Sequence, residues 1–182
     1  MEQKFTSVNS PKIYEVWHGM ITRADDAKWK ETHPTYKDCT VCDEWRDFQV
    51  FAKWYTDNIY DFPGKLDLDK DLLIEGNKHY SPETCLIIPH VVNQFIADVG
   101  VKKESGLPKG VDKQGNRYAA YIGGGRRLLY LGAFDTAREA SKAYKAAKAE
   151  QMREFAQGFT FYCPKKVIDA MQKRYEKMVG EI

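Results

Sequence analysis

The chain has 182 residues, 43% of them hydrophobic and 13% aromatic, enough to bury one good core or two small ones and too apolar for a disordered polymer. No apolar run approaches the roughly 20 residues that span a bilayer, and the opening Met-Glu-Gln-Lys-Phe-Thr lacks the hydrophobic stretch of a secretion signal, so a cytoplasmic protein without a membrane partner is expected. The net charge of +2 conceals an asymmetry, because residues 1–100 carry 11 Lys/Arg against 17 Asp/Glu, a balance of −6, whereas residues 101–182 carry 17 against 9, a balance of +8. A basic half of this kind suits a phosphate backbone, since each neutralised phosphate releases condensed counterions. The acidic half suits metal ligands, a protein partner or simple solubility.

Taken in chain order, Ser10-Pro11 followed by Ile13, Trp17, Met20 and Ile21 predicts a helix over 11–23. Periodicity is lost over 24–41, where a long ordered loop is expected with Trp29 and Tyr36 pinning it to the core. Phe48, Phe51, Trp54 and Tyr55 behind Asp43 and Glu44 predict a second helix over 45–58. The alternation in 65–72 reads as a strand, Gly76-Asn77 as its turn and 85–88 as the returning strand, and a helix with Val92, Phe95 and Ile96 inward follows over 90–99.

The stretch 101–110, with Lys102, Lys103, Ser105, Gly106 and Pro108, has the composition of a linker. Beyond it, 117–122 and 128–131 read as strands around Gly123-Gly124-Gly125, Thr136 caps an Ala-rich helix that Gly158 ends, and 165–179 is a final helix. The expectation is an α+β fold with a first domain over 1–100, a linker at 101–106, a second domain over 107–157 and a C-terminal helix within 158–182.

The segments Leu-Pro-Lys-Gly-Val (107–111), Tyr-Ala-Ala-Tyr-Ile (118–122) and Tyr-Leu-Gly-Ala-Phe-Asp-Thr-Ala-Arg-Glu-Ala (130–140), closing on Ala143-Tyr144, resemble the AP2 DNA-binding domain. The resemblance implies a three-stranded antiparallel sheet laid in the major groove of double-stranded DNA and backed by one helix. On that sheet Lys109, Lys113, Arg117, Tyr118, Tyr121, Arg126, Arg127 and Tyr130 are the expected contacts, the cations for phosphates and the arginines for guanine. Plant members usually carry tryptophan and arginine where Tyr118, Tyr121 and Tyr130 stand here, so a sequence preference does not carry over.

Leu-Asp-Leu-Asp-Lys-Asp-Leu-Leu (66–73), Gly-Asn-Lys-His-Tyr-Ser-Pro-Glu-Thr-Cys (76–85) and Ile-Pro-His-Val-Val-Asn (88–93) resemble the hairpin and helix of the HNH, or His-Me finger, nucleases. With Trp17 to Arg23 and Thr35 to Trp45 the match extends to bacteriophage endonucleases that join an HNH unit to an AP2 domain, some of homing character. The resemblance implies a ββα unit that holds one magnesium or manganese ion and hydrolyses a DNA phosphodiester. By position, Asp69 and Asn93 become metal ligands and Asp69, Lys70, Asp71 and His90 the catalytic candidates. The histidine position of the family falls on Lys70, and a lysine with an ordinary pKa of about 10.4 is a poor base near neutrality. Burial of Lys70, a role for His79 or His90, or Asp71 as base would each restore the chemistry.

Cys39 and Cys42 are spaced as half a zinc site, with Cys85 or His90 as conceivable further ligands. One Cys-x-x-Cys is weak evidence, and buried free thiols beside Trp45 are the expectation. The alternatives to a nuclease are a DNA-binding regulator on a degenerate HNH scaffold and an inhibitor of a host protein acting through the acidic half.

Overall fold

The computed structural model describes residues 4–97, 106–124 and 127–182. The protein is mixed α+β, with six α-helices, a three-stranded antiparallel sheet and two two-stranded pairings among those residues. It divides into two compact units, one of Met1–Asn93 and Tyr162–Val167, the other of Gln94–Phe161 and Ile168–Ile182. The predicted linker positions 101–105 lie outside the described residues. None of the described helices is long and apolar enough to cross a membrane.

The first unit begins with helix α1 (Pro11–Asp25), which has proline in its first turn and buries Met20 and Ala24. The predicted loop that follows is more regular than its sequence suggests. Asp26 accepts from the Trp29 amide at 2.9 Å and so caps a short helix α2 (Ala27–Thr32), in which Trp29 stacks on His33. A two-residue strand β1 (Thr40–Val41) comes next. Residues Asp43–Arg46 form a 3-10 turn, and helix α3 (Phe48–Asn58) begins only after its N-cap Asp47, whose carboxylate accepts from the Gln49 amide. Trp45 and Phe51 meet edge to face in the core with Met20, all at 0% exposure, and the Trp17 indole donates to the Trp45 carbonyl at 2.8 Å.

Strands β2 (Leu66–Asp69) and β4 (Leu86–Pro89) pair antiparallel, with Leu66 opposite Pro89 and Asp67 opposite Ile88. Strand β3 (His79–Tyr80) lies parallel to β1. β2 stops three residues short of the predicted Leu72 because the Asp69 carboxylate accepts from the Asp71 and Leu72 amides and turns the chain. No loop separates β4 from helix α4 (His90–Ala97); Asp98 and Val99, at the end of the predicted helix, lie outside the described residues.

The second unit is built on strands β5 (Val111–Gln114), β6 (Arg117–Gly124) and β7 (Arg127–Phe134), antiparallel in that order. Helix α5 (Ala137–Gly158) packs on this sheet; Thr136 and Glu139 close a capping box at its start. The helix ends at Gly158, as its sequence predicts, and helix α6 (Lys165–Gly180) follows. Val111, Ala120 and Ala140 form the small core between sheet and helix, with Tyr118, Leu131 and Phe134 packed against it. Gly110 enters β5 at φ +72°, and a Cβ there would fall 2.0 Å from the Tyr144 ring, so only glycine admits this approach of ring to backbone.

Candidate functional site

Two groups of side chains carry chemistry, one in each unit. In the first, the N–H of His90 donates to the Lys65 carbonyl at 2.9 Å, which fixes the first residue of α4 against the start of β2. His90 Nδ1 then lies 2.5 Å from Asp67 Oδ2, and Asn93, one helical turn on, donates to the same oxygen at 2.9 Å. Lys65 Nζ stands 3.4 Å from Asp67 Oδ1. Burial opposes the Asp67 anion, but the hydrogen bonds from Asn93 and His90, with the positive charges of His90 and Lys65, outweigh it and hold its pKa below the usual carboxylate value.

In a neutral imidazole, an ionised Asp67 holds the proton on His90 Nδ1 and leaves the lone pair on Nε2. The His90 side chain is about one-third exposed, at 37%. Asn93 engages Asp67 through its amide nitrogen, and its carbonyl oxygen has no hydrogen-bond donor among the described residues. The anionic Asp67 and that carbonyl are oxygen donors on adjoining elements, of the types that a hard divalent cation takes as ligands.

The carboxylate that meets the helix is therefore Asp67, not the expected Asp69. Asp69 is 5% exposed, and its Oδ1 accepts from Asp71 N at 3.1 Å and Leu72 N at 2.7 Å. Desolvation pushes its pKa up to about 6, against the two backbone donors that favour the anion. Lys70 is 6% exposed and pairs with Asp71 at 2.5 Å, its ammonium above the Tyr80 ring. Lys70 and Asp71 thus satisfy each other. His79 faces elsewhere, on Thr40 Oγ1 at 2.9 Å.

Asp67 is the site residue that the sequence reading passes over. Asp67 and Asp69 lie on one face of β2, two residues apart, and only the strand register decides which of them the helix meets. That register is countable once Pro89 is placed opposite Leu66.

The cysteines are free: Cys39 and Cys85 are buried and Cys42 is half-buried. Burial raises the Cys42 thiol and pushes Cys85 up to about 12. Among the described residues no three His, Cys, Asp or Glu side chains gather as a metal cluster.

In the second unit, β6 and β7 carry one residue extra on β7 beside Ala120 and Tyr121, a β-bulge at Leu131-Gly132 with Gly132 at φ +133°. Past the bulge Tyr121 faces Tyr130 directly, ring centroids 5.5 Å apart, while Ile122 turns inward at 2% exposure. Gln114 Nε2 donates to the Tyr121 hydroxyl at 2.7 Å, which places Gln114 on the same outward face. Tyr118 shares the Ala120 side of the strand and packs toward α5, so it is not part of that face.

Arg117 is exposed but directed along β7, with Nε on Asp135 at 3.1 Å and Nη2 on the Ala133 carbonyl at 2.9 Å. Lys113 is exposed and Lys109 half-buried. Arg126 lies outside the described residues, and Arg127 opens β7. Comparison with protein-family models, with curated proteins and with solved structures finds no match for this chain.

Proposed function

We propose that the protein binds double-stranded DNA through the β5–β7 sheet and hydrolyses a phosphodiester bond at the Asp67, His90 and Asn93 cluster, in the manner of the HNH-plus-AP2 endonucleases that its motifs resemble. The observation that carries the catalytic half is the hydrogen bond between His90 Nδ1 and an ionised Asp67. It supplies the base that Lys70, buried and paired with Asp71, does not.

His90 Nε2 accepts a proton from water as the water oxygen attacks phosphorus, and Asp67 stabilises the resulting imidazolium. The bond from phosphorus to the bridging oxygen breaks, and that oxygen leaves with its electron pair. A magnesium or manganese ion held by Asp67 and Asn93 supplies charge stabilisation for the phosphate when bound. Binding is supported by the basic balance of 101–182 and by an outward sheet face that carries aromatic and amide groups.

Supercoiled plasmid incubated with magnesium, with manganese and with EDTA tests both halves. Metal-dependent nicking that falls about 100-fold or more in His90→Gln, and persists within about tenfold in Lys70→Gln, is the expected result. Nicking lost in Lys70→Gln and kept in His90→Gln overturns the assignment of the base. DNA that is bound but left intact with every metal makes the protein a DNA-binding regulator without catalysis.

A further inference from the structure

The outward face of the sheet has a chemistry of its own, apart from the charge of the unit. Register places Leu128 opposite Gly123 and two residues from Tyr130, hence on the face shared by Tyr121, Tyr130 and Gln114. Leu128 is 73% exposed and Tyr130 53% exposed. Gly123 offers no side chain to shield Leu128 from across the ribbon. Such an apolar strip on a solvent-facing strand is a cost in isolation and a gain once it is covered.

We propose, resting on the DNA-binding reading above, that this face selects A·T base pairs in the major groove, with Leu128 and Tyr130 against thymine methyl groups and Gln114 on adenine. The major groove admits a two-stranded ribbon, and the thymine C5-methyl is the apolar group on its floor. Gln114 spends one N–H on Tyr121. Its second N–H and its Oε1 are the donor and acceptor that adenine N7 and N6 match. Guanine readout, in contrast, takes a bidentate arginine or lysine, and on the described part of this face the Nε and Nη2 of Arg117 are already held by Asp135 and the Ala133 carbonyl. The occupant is DNA because exposed Arg117, opposite Gln114 in register, adds a cation to this face within a half of net charge +8.

Competition binding of the full chain to alternating poly(dA-dT), poly(dA-dU) and poly(dG-dC) duplexes, in EDTA to prevent cleavage, tests the proposal. The dU polymer lacks only the methyl groups. The expected order is dA-dT tightest, dA-dU about fourfold weaker and dG-dC weakest. Leu128→Ala should bring dA-dT and dA-dU within twofold of each other, while Gln114→Ala weakens both alike; a circular dichroism spectrum of each variant confirms the fold. Equal affinity for the three polymers, preference for dG-dC, or a methyl effect that survives Leu128→Ala overturns this inference and leaves DNA binding standing. Failure to bind any of them overturns the DNA-binding reading and the inference together.

Discussion

Asp69 spends one side-chain oxygen on turning the chain. Its carboxyl sits out of reach of water with two amides donated to it, and its pKa of about 6 in the folded protein stands well above the ordinary 3.8. The folded state therefore binds the proton more tightly than the unfolded state. Whatever stability this gives is fully present below about pH 4 and is lost as pH rises through 6, up to about 3 kcal/mol. Asp69→Asn keeps the acceptor oxygen without the charge, so its melting temperature should exceed that of the parent above pH 7 and the two should converge toward pH 4. A constant difference across that range would mean that burial does not govern Asp69. This neighbourhood also shows where reading residues in isolation fails. Asp67, Asp69 and Asp71 are chemically identical in the sequence, and their fates as site, turn and ion-pair partner follow from hydrogen bonds set by strand register.

At the scale of elements, the helices were the legible part, because Trp17 and Met20, or Phe51 and Tyr55, recur with the helical period and bury one side. Helix α2 was not, since its six residues bury none of their side chains and depend on the Asp26 cap. The bulge at Leu131-Gly132 was equally hidden, as an inserted residue leaves no composition signal, although it decides that Tyr121 meets Tyr130. Thr136 was legible from its place before the Ala-rich run. Its capping box with Glu139 predicts that Thr136→Ala lowers stability by about 1 kcal/mol, measured by urea unfolding. Gly110→Ala should cost more, about 2 to 4 kcal/mol, because it adds a strained φ to an overlap with the Tyr144 ring. A smaller loss than for Thr136→Ala would show that the ring can move aside.

For the molecule as a whole, the charge asymmetry visible in the sequence falls largely along the division into units. Binding through the basic half predicts that log affinity for a non-specific duplex falls linearly with log salt, and Lys113→Gln should lower the slope by about one unit. Affinity indifferent to salt would mean that the charge serves another partner. The overall α+β class followed from the order of periodic segments, whereas the site required distances between segments more than twenty residues apart.

The direct passage from Pro89 into His90, clamped by the Lys65 carbonyl, mounts the proposed base on a joint that has no hinge. An enzyme whose base must swing into place shows a delay before its first turnover. Here none is required: with DNA and metal already bound, single-turnover cleavage should rise from the first instant as one exponential, and viscosity should leave its rate unchanged.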